Sequence, residues 1–343
     1  MDSAEQYSAL IGALAGRRVA VIGDVNADEF VYGQVARVSR EAPVLILEYD
    51  STEVVPGGAG NAANNVASLG GRVRLAALVG QDEPGRRLID ALHRRVDRST
   101  LLRSRTFTTL VKTRILAGGV HSAKQQVVRI DRGVTRAIEP ATRRAFEAAA
   151  LKAVRGCDAV LVSDYGSGLV TPTLVSRVKT AARRIRSDMP VLLDSRYRLL
   201  GYGGLTFCAP NEAEVEHALG IRIDDDPRVL ERAGREVLAR TRMKAVLVTR
   251  GSRGMALFQP DRKTVHIPIF GSDEIADVTG AGDTVMATVT LAVAAGATFE
   301  QAARLANYAG GLVVMKRGTA TVTAEELGRA VRSDRPARGT KRG

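Results

Sequence analysis

Five runs of this chain are apolar almost without interruption, and each reads as a buried strand. RRVAVIGD (17 to 24) is rich in Val and Ile and ends in Gly-Asp, and VRLAALVG (73 to 80), DAVLVSD (158 to 164), PVLLD (190 to 194) and KAVLVT (244 to 249) follow the same pattern. A strand with one wet face alternates apolar and polar residues, so a strand apolar on both faces must be covered on both. Helical patterns separate the runs, at about 61 to 69, 84 to 94, 140 to 155, 171 to 186 and 226 to 241. Strand and helix in alternation imply a doubly wound α/β fold, with a mostly parallel sheet between two layers of helices.

Two segments break that alternation. Residues 30 to 50 and 106 to 131 read as β-hairpins with polar faces, inserted between the repeating units. They are expected to form a small β-lid beside the open end of the sheet. Its exposed edges would invite pairing with a second copy, hence a homodimer through the lid. The organisation expected is one domain over 1 to 332, followed by a basic tail, 333 to 343, whose Pro, Gly and Arg content reads as disordered.

With 45% apolar residues in 343, the chain has enough apolar material for a substantial core. Its formal charge of +13 favours anionic partners, and the absence of Trp and of any basic stretch interleaved with aromatics argues against nucleic acid. Two cysteines, Cys157 and Cys208, beside apolar strands fit buried thiols in a reducing cytoplasm. The N-terminus reads as a short helix with acids before arginines, the reverse of a signal peptide, and no run reaches membrane-spanning length.

The segment DVTGAGDTVM (277 to 286) carries the chemistry. It reads as a turn opening a helix from about Gly280 to Gly296. Backbone N–H groups of Gly280, Ala281 and Gly282 would lack intrahelical partners, and their small side chains would let a phosphate approach: an anion hole. Asp283 follows in the first helical turn. A carboxylate there repels phosphate unless a hydroxyl stands between them, giving its proton to Asp283 while its oxygen attacks phosphorus. The alternative is an acid that merely favours a helix start, worth less than about 1 kcal/mol.

A second glycine cluster, VPGGAGNAANNVASLGGRVRLAALVGQD (55 to 82), offers Gly57 and Gly58 for close backbone approach and Asn61 for sugar hydroxyls. Gly57, Gly58, Ala59, Asn61, Ala63, Gly70 and Gly80 together resemble the first signature of the PfkB (ribokinase-like) carbohydrate kinases, and DVTGAGD resembles the second. The resemblance runs from about Arg17 to Val331. GDVNADEFVYG, RVSREAPV, KTRI, QQVVRID, SDYGSGLV, APNEAEVE and KRGTATV are similar to the branch acting on D-glycero-D-manno-heptose 7-phosphate, the kinase half of the ADP-heptose pathway enzyme.

The resemblance implies a ribokinase-like fold, ATP and Mg2+ as cofactors and a sugar phosphate as substrate; it leaves the use of a monovalent cation open. It makes Asp283 the catalytic base and Gly280, Ala281 and Gly282 the anion hole. Asn211 and Glu214 match the N-x-x-E pair that supports magnesium through water; a capped helix start would look the same. Thr249, Gly251, Gly254 and Asn307 fall on the ATP side. On the sugar side fall Asp28, Gly57, Gly58 and Asn61, and Asp164 either holds hydroxyls or caps a turn. Lys112, Arg114 and Arg129 on the lid are candidates for the substrate's own phosphate, or else solvated strand charges.

Departures from the branch pattern are Arg40 for Pro, Ser167 for Lys, Ser195-Arg196 for Pro-Lys and Asn26-Ala27 for Met-Leu. Ser167 removes a positive charge where Arg196 keeps one. The chain ends without a nucleotidyltransferase domain, so a 1,7-bisphosphate is the expected product. Another PfkB kinase with a different sugar, and a non-catalytic nucleotide- or nucleic-acid-binding protein, are the alternatives.

Overall fold

In the computed structural model, which describes residues 4–119, 124–133, 137–271, 277–316 and 318–334, each of the five apolar runs contributes a strand to one nine-stranded sheet. Across it the order is Val265–Ile267, Met255–Phe258, Ala245–Thr249, Phe207–Cys208, Val191–Ser195, Ala159–Asp164, Arg18–Gly23, Arg72–Ala76 and Val96–Asp97. From Ala245–Thr249 to Val96–Asp97 every pairing is parallel; Met255–Phe258 and Val265–Ile267 add an antiparallel edge. The strand Arg18–Gly23 shows why the runs are continuously apolar. Its Val19 and Val21 enter one core, and its Ala20 and Ile22 enter the other.

The first core lies under helices Ala4–Leu14, Ala59–Ser68, Ala281–Ala294, Phe299–Val314 and Ala324–Ser333, and the second under Pro140–Ala153, Pro172–Ile185, Glu212–Leu219 and Pro227–Thr241. The expected helices are present with ends moved by a few residues. The helix after the glycine turn, Ala281–Ala294, is buried nearly all round, which is why its sequence has no polar face.

The run 73 to 80 divides. Arg72–Ala76 stays in the large sheet, whereas Leu78–Gly80 pairs with Leu102–Ser104 in a separate two-stranded sheet. The first hairpin is longer than expected, Val25–Val38 with Leu45–Gly58, and the second is a little shorter, Leu110–Gly118 with Gln125–Arg132. They join through parallel pairing of Val25–Val38 with Leu110–Gly118 into one four-stranded sheet. Only Asp24 separates the strand Arg18–Gly23 from Val25–Val38, so the central strand of the large sheet runs almost directly into the small one. Of the tail, Ser333 closes the last helix and 335–343 lie outside the described residues.

In the large sheet the chain runs outward from Arg18–Gly23 to Arg72–Ala76, then returns to its other side with Ala159–Asp164. Such a reversal of direction opens a crevice at the carboxyl ends of the strands. Among the described residues no helix is long and apolar enough to cross a membrane. Cys157 and Cys208 are buried free thiols, both shifted up by burial.

Candidate active site

Gly280 adopts φ 77°, a conformation that L side chains rarely take, and turns the chain into the helix Ala281–Ala294. Asp277 organises the approach: its carboxylate accepts from Thr279 N at 2.8 Å and Gly318 N at 3.2 Å. Gly280, Ala281 and Gly282 line a cavity of about 660 Å3 at the mouth of the crevice. One difference from expectation is that Ala281 N–H turns back to the Val278 carbonyl at 3.3 Å, so it is not wholly free.

Asp283 is only 2% exposed. Its Oδ2 accepts from Asn61 Nδ2 at 3.0 Å and its Oδ1 from the Tyr165 hydroxyl at 3.0 Å. An acid open to the crevice is the simplest expectation for a base; here the phenol closes over it. Burial pushes the carboxyl up to about 7, against the two hydrogen bonds, which favour its charged form. Asn61 is fixed in turn: Asn65 Nδ2 donates to its Oδ1 at 3.0 Å, one turn along the helix Ala59–Ser68. Gly58, at φ 59°, opens that helix, and Asp24 O accepts from Ala59 N.

The nucleotide-side candidates share the cavity. Asn211, Glu214, Thr249, Gly251, Gly254 and Asn307 all line it. Asn211 and Glu214 form a capping box at the start of Glu212–Leu219, so the helix-cap reading describes their mutual contacts. Glu214 is shifted up by burial, and Asn307 donates to Pro268 O at 2.9 Å. Asp194, which the motifs did not single out, lines the cavity as well; burial, then repulsion from Asp283 and Glu214, raises it well above the usual carboxylate range. Among the described residues no cluster of His, Cys, Asp and Glu is dense enough to hold a metal alone. Asp194 and Glu214, two carboxyl groups lining one cavity, nonetheless fit a hydrated divalent cation that takes its other ligands from phosphate.

The sugar-side candidates split. Asp28 and Arg114 are both buried and paired with each other, Arg114 Nη1 donating to Asp28 Oδ1 at 2.6 Å. Gly57 leaves room for their neighbourhood: a Cβ there would lie 2.3 Å from Asp28 Oδ2 and 2.5 Å from Asn26 Nδ2. That Asn26 amide is buried without a partner, an open donor beside an acceptor carboxylate. Lys112 Nζ lies 5.1 Å from the centre of the Tyr165 ring, and burial lowers its pKa, partly restored by Asp28 and further lowered by Arg196, Arg114 and Arg129. Arg129 is exposed and engaged with Asp131.

Asp164 is not brought to the cavity. It is 1% exposed and accepts from Tyr202 OH at 2.6 Å, Ser195 Oγ at 3.1 Å and Gly166 N at 3.0 Å, so its observed contacts are those of the turn-capping alternative. Of the departures, Ser167 is turned inward and donates to Asp24, Ser195 is the buried donor just named, Arg196 lines the cavity and Arg40 is exposed in the small sheet's hairpin turn. Tyr165 and Asn26 lie within segments similar to the heptose branch, but only packing reveals that one phenol covers the acid and that one amide lacks a partner.

The sequence profile of the pfkB family carbohydrate kinases matches residues 17–326. The chain is 42% identical over 309 residues to the bifunctional protein HldE of Geobacter metallireducens, and 38% identical over 325 residues to that of Gluconobacter oxydans. These alignments cover 90% and 94% of the chain but 61% and 66% of the relatives, so the chain spans under two thirds of their length. Arabidopsis thaliana ribokinase, solved with ribose and ATP, superposes with a TM-score of 0.70 at 21% identity, over 92% of this chain and 99% of that one. Phosphofructokinase-2 from Escherichia coli, solved with potassium, gives 0.72 at 17% identity over 93% and 99%.

Proposed function

The chain belongs to the pfkB family of carbohydrate kinases, and from that premise we propose that it transfers the γ-phosphoryl group of ATP to the anomeric hydroxyl of D-glycero-D-manno-heptose 7-phosphate, giving the 1,7-bisphosphate. That the protein is a sugar kinase follows from the family; the acceptor rests on the segments similar to the heptose branch and on the similarity to bifunctional HldE proteins. A single observation carries the assignment of roles. Asp283 stands at the junction of the glycine turn lining the nucleotide cavity and the sugar-side Asn61, with its carboxyl shifted to about 7. A base that titrates near neutrality can both take a proton and release it.

In this reading Gly280, Ala281 and Gly282 receive the transferred phosphoryl group at the helix start, where backbone dipoles favour negative charge. Asn61 holds Asp283 in place for the acceptor's proton. Asp28 accepts from, and Asn26 donates to, hydroxyls over Gly57, while Lys112, Arg114 and Arg129, with Arg196 nearby, draw the substrate's own phosphate. Mg2+ would be held by Glu214 through water, with Asp194 facing it, and would spread the charge of the phosphates. Most of the rate gain comes from positioning and charge, since phosphoryl transfer asks little covalent chemistry of the protein. We place the enzyme in the cytoplasm, in the formation of nucleotide-activated heptose for surface polysaccharide, as a dimer joined through the small sheet.

The test is ADP release across a panel of sugars and sugar phosphates, with Asp283→Asn beside the wild type. The expected result is turnover confined to a heptose 7-phosphate and lowered in the variant by roughly 10²–10⁴-fold, the usual worth of a general base. Turnover on another sugar would reassign the acceptor, and near-normal turnover of Asp283→Asn would remove its role.

A further inference from the structure

The group that closes over Asp283 has the same chemistry as the group expected to react there. The Tyr165 hydroxyl donates to Oδ1 at 3.0 Å, as an acceptor hydroxyl must. We propose that Tyr165 stands in for the sugar: its phenol occupies Asp283 until the acceptor displaces it, and so discriminates against water as the phosphoryl acceptor. The proposal rests on the kinase reading above.

Of the two donors on Asp283, only the phenol is free to leave. Asn61 sits within a helix, locked by Asn65 and bonded also to Gly280 O at 3.2 Å. The Tyr165 backbone is pinned, its N–H and that of Ser167 donating to Asp24 Oδ2 at 2.8 and 3.2 Å. The ring is held differently. It rests against Gly58, where a Cβ would be 3.5 Å away, and under the Lys112 ammonium, while it also lines the nucleotide cavity. The side-chain torsions are thus the freedom by which the hydroxyl can leave Asp283 without disturbing the turn. Asp283 is 2% exposed with the phenol in place, so water has little access to it.

Without that cover, water reaches the base beside bound ATP. Asp283 would take a proton from water, the water oxygen would form the new bond to the γ-phosphorus, and the bond from that phosphorus to the ADP oxygen would break. The sugar, in contrast, has hydroxyls and a phosphate with which to offset the loss of the phenol's hydrogen bond; water has none of these contacts.

The experiment measures ADP release by the full chain with MgATP, with and without acceptor, in the wild type, Tyr165→Phe and Tyr165→Ala. Tyr165→Ala is expected to raise acceptor-independent ADP release at least ten-fold, and a further Asp283→Asn change to abolish the gain. Tyr165→Phe keeps the ring but has no hydroxyl to displace, so KM for the acceptor is expected to fall about five-fold with kcat little changed. Two results would overturn the proposal: no added release in folded Tyr165→Ala, or a fall in kcat of Tyr165→Phe at unchanged KM, which would make the phenol a positioning group for the base. A wild type that releases no sugar-dependent ADP on any acceptor would instead remove the kinase reading itself.

Discussion

In the role proposed for Asp283 the cost of burial and the capacity for chemistry are the same quantity. Its native value, about 7, lies above the roughly 3.9 of an unfolded chain, so between these values the folded state binds more protons. Stability from this residue is therefore intact below pH 4 and lost as pH rises through 7. Asp283→Asn removes the penalty: Tm is expected to rise by several degrees at pH 8 and to change little at pH 4, read by thermal melts at both. The new amide fits, its oxygen accepting from Asn61 and its nitrogen donating to the Tyr165 oxygen. Activity runs the other way. In the wild type kcat/KM should fall about ten-fold per pH unit below 7 as the base protonates, which a pH–rate profile would display.

The glycine turn and its helix allow a sharper separation of roles. At Gly280 a Cβ would lie 2.5 Å from Asn61 Nδ2, and φ is positive; at Gly282 it would meet nothing within 4 Å. Gly280→Ala is expected to cost about 1–3 kcal/mol in denaturant unfolding and to lower kcat as Asn61 is pushed from Asp283. Gly282→Ala should fold at least as well, helix propensity favouring Ala, but raise KM for ATP by crowding the phosphate. Much of this element is legible in the sequence: the expected helix, Gly280 to Gly296, agrees with Ala281–Ala294 within two residues at either end, and its acid and small residues read as one unit. What escaped were short elements. Phe207–Cys208 and Val265–Ile267 are too brief to show a period, and the start of Val25–Val38 carries no turn residue beyond Asp24 to mark it off from the preceding strand. The pairing of Asp28 with Arg114, and the inward turn of Asp164, join residues far apart in sequence that have no pattern in common.

At the scale of the molecule, most of the exposed large apolar side chains among the described residues lie on the small sheet. Val38, Val44, Leu45, Tyr49, Val127, Val128 and Ile130 are all exposed, and the edge strand Gln125–Arg132 is exposed at every position. An uncovered edge with apolar side chains is a template for another chain, and a second copy of this sheet supplies the same surface by symmetry. If the proposed dimer forms through this edge, Val128→Asp with Ile130→Asp is expected to lower the mass read by light scattering from that of two chains to that of one. Activity would fall only in so far as the paired sheets steady Lys112 and Arg114. The small sheet is also bound to the large one through Asp24, the lone residue between their strands, whose carboxylate anchors the backbone carrying the phenol. The joint thus also anchors the latch, and from the small sheet to the carboxylate of Asp283 the route is two side chains long, Asp24 and Tyr165.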